Sequence, residues 1–278
     1  MAKNTVQRNS LLFLGSGSGD FYLVRKRNDM RNNRYPTQVL LPYGCLIDFS
    51  SEAKGMLRAH DVAFDSISDL FITHSQLDHF HAPTIVRFAL ERRSRTNVPL
   101  NIWGTEIIRY MLEQEILLSD TDSLFDIHTL EPLREYTTGV LRILPIPANH
   151  LKSGYFINIG ETALNFLISV GSKKILYAVD TGYPEEDVWE LWREHRLEVL
   201  VLEATLGDSE ANPSLGHLNF GQAAEIVARL RDGGILQKGS RVVLAHLSPF
   251  HISKGKKTVA RLSGQGISLA SDGMKITF

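Results

Sequence analysis

The chain has 278 residues, 43% of them hydrophobic, and a formal net charge of −1. That length can bury a sizeable core in one large domain or two small ones, and the near-neutral charge excludes a generally basic nucleic-acid-binding surface. One cysteine excludes an internal disulfide and fits a reducing cytoplasm, and no apolar run reaches membrane-spanning length.

The polar start leads into Leu11-Leu12-Phe13-Leu14, too short for a signal-peptide core. Gly15, Gly17 and Gly19 follow this strand-like run. They lack the third glycine of a dinucleotide fingerprint and any Gly-Lys-Ser/Thr, and no clear helix follows them, so a tight turn needing positive φ is expected. Arg25-Lys26-Arg27 opens the polar segment 28–34, which reads as a mobile loop. Cys45 lies in an apolar run and reads as an inert buried thiol.

Leu70-Phe71-Ile72 then leads directly into Thr73-His74-Ser75-Gln76-Leu77-Asp78-His79. Two imidazoles and a carboxylate in one tight turn can converge on a point, and both are good ligands for zinc and similar ions. Ala82-Pro83 signals a helix start, with Ile85, Val86, Phe88 and Ala89 at helical spacing. The basic groups at Arg25-Lys26-Arg27, at Arg92-Arg93-Ser94-Arg95 and at Lys254-Gly255-Lys256-Lys257 read as solvated faces, with steering of a phosphate-bearing substrate as the alternative.

Four more buried-strand runs end in polar or ionisable residues. Leu141-Arg142-Ile143-Leu144-Pro145-Ile146-Pro147 leads to Asn149-His150, and Lys174-Ile175-Leu176-Tyr177-Ala178-Val179 leads to Asp180. Leu197-Glu198-Val199-Leu200-Val201-Leu202 ends in Glu203, and Arg241-Val242-Val243-Leu244-Ala245 ends in His246. A lone histidine is usually a satisfied core or surface residue, but recurrence at strand exits suggests that these groups share a functional edge. Tyr155 to Ile159 and Ala163 to Ile168 read as a hairpin about Gly160-Glu161-Thr162. A later helix carries its apolar stripe on Ala223, Ala224, Ile226, Val227 and Leu230.

The turn resembles the His-x-His-x-Asp-His signature of the metallo-β-lactamase superfamily, followed in order by His150, Asp180 and His246. Leu202-Glu203-Ala204-Thr205 with Gly216-His217 is similar to the tRNase Z branch. Leu14 to Gly19, Asn33-Arg34 and Leu46-Ile47-Asp48 resemble the opening of tRNase Z, of phosphoribosyl cyclic phosphodiesterase and of the pyrroloquinoline-quinone biosynthesis B protein. The likeness implies a single domain over residues 1–278 with an α/β fold, the four-layer αββα sandwich.

The same resemblance implies a metal set of His74, Asp78, His79, His150, Asp180 and His246, with Asp180 shared between two ions and Asp78 also orienting an attacking hydroxide. Zinc is the first expectation, with manganese or iron as alternatives. Asp48 would support a ligating histidine, though it could equally cap a strand-end turn. Glu203 and His217 would protonate the leaving group, while Gly216-His217-Leu218-Asn219 could equally be a helix cap. Gln76 departs from the signature: a carboxamide is a poorer zinc ligand than imidazole, leaving two ions with Gln76 as a weak ligand, one ion, or none as the outcomes. His81 is a conceivable substitute, although its place at a helix start points it to solvent.

In tRNase Z an arm that grips tRNA is inserted between the lone His and the bridging Asp, and here only residues 151–179 lie there. The expected substrate is therefore a small or cyclic phosphodiester rather than tRNA. The function so implied is a cytoplasmic metal-dependent phosphodiesterase. A cofactor-biosynthesis metalloenzyme and a non-catalytic relic are the alternatives, and a homodimer is compatible with the sequence.

Overall fold

The structure is a computed structural model that describes residues 9–26, 34–150, 160–210, 212, 216–252 and 256–278. The sequence readings on 28–33, on Tyr155 to Ile159 and on 253–255, and those on the side chains of Arg25, Lys26, Arg27, Lys256 and Lys257, lie outside the described residues. Two compact units divide the chain: Met1–Ser16, Tyr35–Glu131 and Asp272–Thr277 form the first, and Gly17–Arg34, Pro132–Ser271 and Phe278 the second.

The first unit holds a seven-stranded mixed sheet. Its strands are β1 (Ser10–Gly15), β2 (Gln38–Leu40), β3 (Cys45–Ile47), β4 (Asp69–Phe71), β5 (Leu100–Gly104), β6 (Phe125–Thr129) and β14 (Lys275–Thr277), in the order β14-β1-β2-β3-β4-β5-β6. From β3 to β6 the pairing is parallel, and the crossovers carry α2 (Ala53–Ala59), α3 (Ala82–Arg93) and α4 (Glu106–Ser119). Parallel strands require such crossovers, and the helices bury one face of the sheet. Ile85, Phe88 and Ala89 of α3 join Leu46, Leu70 and Ile102 in its core. The helix expected after Ala82-Pro83 is α3, entered from His81 as N-cap, with a proline in its first turn.

The second unit repeats the plan. Its strands β7 (Tyr136–Thr138), β8 (Leu141–Pro147), β9 (Leu164–Val170), β10 (Lys173–Ala178), β11 (Leu197–Glu203), β12 (Leu236–Ala245) and β13 (Ile267–Leu269) lie in the order β13-β12-β11-β10-β9-β8-β7. Strands β10 to β13 are parallel, with α5 (Glu186–Arg193), α6 (Phe220–Asp232) and α7 (Lys256–Gly264) between them, and β7 to β10 are antiparallel. Ala223, Ile226, Val227 and Leu230 of α6 join the core of this unit, as their spacing requires. Asn219 and Gln222 close a reciprocal capping box at the start of α6. The four strand runs read from sequence are β8, β10, β11 and β12. The run Ala163 to Ile168 falls on β9, which pairs with β8 and β10.

Three sequence expectations are corrected. A short helix, α1 (Phe21–Lys26), does follow the glycine segment. None of Gly15, Gly17 and Gly19 has positive φ. Gly15 is required by close approach instead, because a Cβ there would stand 2.1 Å from the Pro36 carbonyl oxygen. Finally, Arg92 is no solvated charge: it is buried, and its Nε donates to the Ile67 carbonyl at 2.8 Å. No helix among the described residues is long and apolar enough to cross a membrane.

Candidate functional site

In both units most chemistry-bearing residues follow strands of the parallel part of the sheet, where crossover loops gather in open α/β sheets, and His150 follows the antiparallel β8. In the first unit, Asp48 follows β3 and the turn from Thr73 to His79 follows β4. The turn closes on itself through the Gln76 carbonyl, which accepts from His79 N at 2.9 Å and Phe80 N at 2.8 Å. It is tied to the β3 exit by Phe49 N donating to the His79 carbonyl at 2.7 Å and His81 N to the Phe49 carbonyl at 3.0 Å.

Asp48 is fully buried and adopts φ 64, a left-handed conformation that Asp tolerates better than most residues. Its Oδ1 accepts from Thr73 N at 2.8 Å and Thr73 Oγ1 at 2.9 Å, and its Oδ2 lies 2.8 Å from His79 Nδ1. Burial pushes this carboxyl above its usual value, opposed by the charge and hydrogen bond of His79 and by the Thr73 hydrogen bonds. Since the Thr73 hydroxyl proton is given to Asp48, its oxygen accepts from His74 Nδ1 at 3.0 Å. Both imidazoles therefore carry a proton on Nδ1, which leaves Nε2 as the atom each ring would offer to a cation.

Those two Nε2 atoms have distinct neighbours. His74 Nε2 lies 3.1 Å from Gln76 Oε1, and His79 Nε2 lies 3.2 Å from Asp78 Oδ2. Two donors bound tetrahedrally to one zinc at about 2.0–2.1 Å stand roughly 3.3 Å apart. Each pair thus has the bite of a metal chelate, and the donor chemistry fits a divalent cation. Gln76 is only half-buried, whereas His74 and His79 are fully buried.

The second unit brings together His150, Asp180, Glu203, His217 and His246. Ligand atoms of His150, Asp180 and His217 lie within 4.8 Å of one another, as do those of Glu203, His217 and His246. Asp180 and His246 follow β10 and β12 with φ 53 and 57, the same left-handed exit as Asp48. The loops after β8 and β10 are tied by Gly182 N donating to the Asn149 carbonyl at 2.8 Å and Asn149 N to Thr181 Oγ1 at 3.2 Å. His150 Nδ1 faces the Gly216 carbonyl at 3.2 Å, and burial foremost pulls its imidazole below the ordinary histidine value, which keeps it neutral and ligand-ready.

Glu203, at the end of β11, is fully buried and saturated with donors. Oε1 accepts from Thr181 N at 3.1 Å and lies 2.8 Å from His217 Nδ1; Oε2 accepts from Thr205 N, Thr205 Oγ1 and Leu218 N at 2.9, 2.7 and 3.2 Å. Thr205 repeats the role of Thr73. Its hydroxyl proton goes to Glu203, and its oxygen faces His246 Nδ1 at 2.8 Å. His217 differs from His246 and His150 in being more open, with 18% of its side chain exposed against 4% for His246. Its ring lies 4.9 Å from that of His150 and 5.8 Å from that of His246.

Of the residues expected from sequence, His74, Gln76, Asp78, His79 and Asp48 meet in the first unit, and His150, Asp180, Glu203, His217 and His246 meet in the second. His81 joins no cluster of potential metal ligands among the described residues, and its Nδ1 lies 2.8 Å from Thr84 Oγ1 at the start of α3. Asp48 supports a histidine as well as closing its strand, and His217 pairs with Glu203 while Asn219 does the capping. Sequence reasoning missed Thr73, Thr181 and Thr205. The signal available was adjacency: Thr73 precedes His74, and Thr205 lies two residues beyond Glu203.

Residues 45–247 match the family model described as "Beta-lactamase superfamily domain". Among solved structures, the fold is similar to that of zinc-bound PqqB from Methylobacterium extorquens, with 16% identity, a TM-score of 0.73, and 97% of this chain and 100% of that chain covered. Human tRNase Z, short form, is similar at 21% identity and TM-score 0.70 over 96% of this chain and 98% of that one. A diphosphatase from the PhnP family gives 18% identity and TM-score 0.70 over 97% of each chain. No curated protein matches significantly.

Proposed function

We propose that this chain, which belongs to the metallo-β-lactamase superfamily and has its αββα fold, is a metal-dependent phosphodiesterase acting on a small or cyclic phosphodiester. The observation that carries the reading is the His217–Glu203 pair at 2.8 Å beside His150, Asp180 and His246. Hydrolysis at a metal needs ligands; it does not by itself need a further imidazole anchored to a saturated, buried carboxylate. Phosphodiester cleavage does, because an alkoxide leaving group must be protonated.

His74, Asp78, His79, His150, Asp180 and His246 would hold one or two divalent ions, with Gln76 a weak ligand. Such ions would supply positive charge for the phosphoryl oxygens and lower the pKa of a water molecule. Asp48, Thr73 and Thr205 fix the ring tautomers so that Nε2 is free for coordination. Glu203 holds the His217 ring with its proton on Nδ1 and stabilises the imidazolium, whose Nε2 proton passes to the departing oxygen. The limited chain between His150 and Asp180, much of it spent on β9 and β10, favours a compact substrate over tRNA.

The test compares two substrates. Against a cyclic nucleotide phosphodiester, whose leaving group is an alkoxide, His217→Ala is expected to lose about 10²–10⁴-fold in kcat. Against bis-p-nitrophenyl phosphate, whose leaving group departs unprotonated, the loss is expected to be small. Equal losses on both, or efficient cleavage of pre-tRNA with no turnover of either compound, would reject the reading.

A further inference from the structure

The first unit carries a second concave site, on α4 and β6, that none of the chemistry above uses. Helix α4 has two apolar stripes. Ile108, Leu112 and Ile116 face the core of the unit and are buried. On another face Ile107, Tyr110 and Met111 follow three- and four-residue spacing and, past the polar Gln114, Leu117 and Leu118 resume it; Leu117 and Leu118 are 78% and 84% exposed, Tyr110 61% and Met111 37%. Isolated exposed leucines are ordinary, but Tyr110, Met111, Leu117 and Leu118 together on one helix mark an interaction face.

That stripe borders a cleft of about 320 Å³ lined by Glu113, Ile116, Leu117, Asp120, Asp122, Phe125 and Ile127. The volume is in the range of ligand pockets. Its floor is apolar, with Phe125 and Ile116 buried, and its rim is acidic. Arg109 is the basic residue of α4, and it is already paired with Glu113 at 2.8 Å. Asp120 and Asp122 stand where α4 ends, and the last turn of that helix has no basic residue. Helix carbonyls give this end a partial negative charge that disfavours a carboxylate. Asp120 occupies the left-handed C-cap at φ 51, a position Asn would fill equally well without the charge. The Asp120 charge therefore opposes local helix stability, and a cationic partner would offset it; Asp122 opens the next short 3-10 turn, Asp122–Leu124, and adds a second carboxylate to the same rim.

We propose that the α4/β6 cleft docks an amphipathic peptide segment of another protein that presents aliphatic side chains to the stripe and lysine or arginine to Asp120 and Asp122. Acidity argues against the alternatives. Two copies of this face would set carboxylates against carboxylates, and an anionic membrane surface would be repelled. The recognition follows the helix-in-groove mode, with apolar anchors at helical spacing and charge fixing the orientation.

Fluorescence anisotropy of the full chain tests this with a fluorescein-labelled peptide built of leucine and lysine at amphipathic helical spacing, and its leucine and glutamate counterpart. The lysine peptide is expected to bind saturably, one per chain, and the glutamate peptide not to bind. Leu117→Ser with Leu118→Ser is expected to weaken binding roughly tenfold or more, since two large side chains lose their burial. Asp120→Asn with Asp122→Asn is expected to weaken it roughly threefold or more at low salt, and less at high salt. All four positions are at the surface, so both double variants keep the fold, with unchanged circular dichroism as the check. Equal binding of the two peptides, no loss in either double variant, or a dimer by sedimentation that Leu117→Ser with Leu118→Ser separates would overturn the proposal.

Discussion

Replacing Asp48 by asparagine should break metal binding while sparing the fold, and the local geometry says why. The carboxylate spends Oδ1 on Thr73 and Oδ2 on His79 Nδ1 at 2.8 Å. In Asp48→Asn the amide oxygen keeps the two Thr73 bonds, which turns the NH2 toward His79. An NH2 can donate only to a deprotonated Nδ1, so the ring proton moves to Nε2 and covers the lone pair aimed at the cation. Losing such support to a ligating histidine typically costs 10- to 100-fold in affinity, about 1.4–2.8 kcal/mol. Asparagine tolerates φ 64 as aspartate does, and burial already disfavours the charge, so the metal-free Tm should stay within a few degrees. Competition against a chromophoric zinc chelator measures the affinity, and a thermal melt of the metal-free protein controls for folding. Zinc bound as tightly by Asp48→Asn as by the unaltered chain would refute the tautomer argument, and so would affinity lost only in step with unfolding.

Further outcomes are expected. Gln76→His supplies an imidazole in place of the carboxamide 3.1 Å from His74 Nε2, and should raise the zinc retained after dialysis, read by elemental analysis. Stripping metal with EDTA should lower Tm, and zinc at 100 times its Kd should restore about 2.7 kcal/mol of stability. Gly15→Ala should destabilise by about 1–3 kcal/mol, because its Cβ would meet the Pro36 carbonyl at 2.1 Å. Gly55→Ala, with nothing within 4 Å of the new carbon on α2, should instead stabilise by about 0.5–1 kcal/mol, both read by urea melts. Glu203→Ala leaves buried donors of Thr181, Thr205 and Leu218 unmet and should lower Tm as well as turnover.

Much of this was legible because buried strands read as mainly apolar runs and the site begins where those runs stop. β8, β10, β11 and β12 were found that way, and with them His150, Asp180, Glu203 and His246. The helices α3 and α6 were visible from Pro83 and from the stripe at Ala223 to Leu230. What stayed hidden depended on atoms rather than on residue classes. A threonine hydroxyl that sets a ring tautomer looks like any threonine, and Gly15 looked like a turn because a close backbone approach leaves no mark distinct from positive φ. Arg92 reads as surface charge until its carbonyl partner at Ile67 is known.

Asp48, Asp180 and His246 each leave a strand through a backbone conformation that a non-glycine residue adopts at an energetic cost. A population of variants selected for heat resistance alone, with activity ignored, should therefore drift first at these three codons, toward glycine or asparagine at Asp180 and His246 and toward asparagine alone at Asp48, where the amide oxygen keeps the Thr73 bonds. Where that drift begins would mark, without any substrate in hand, which positions the chain holds for chemistry at the expense of its own robustness.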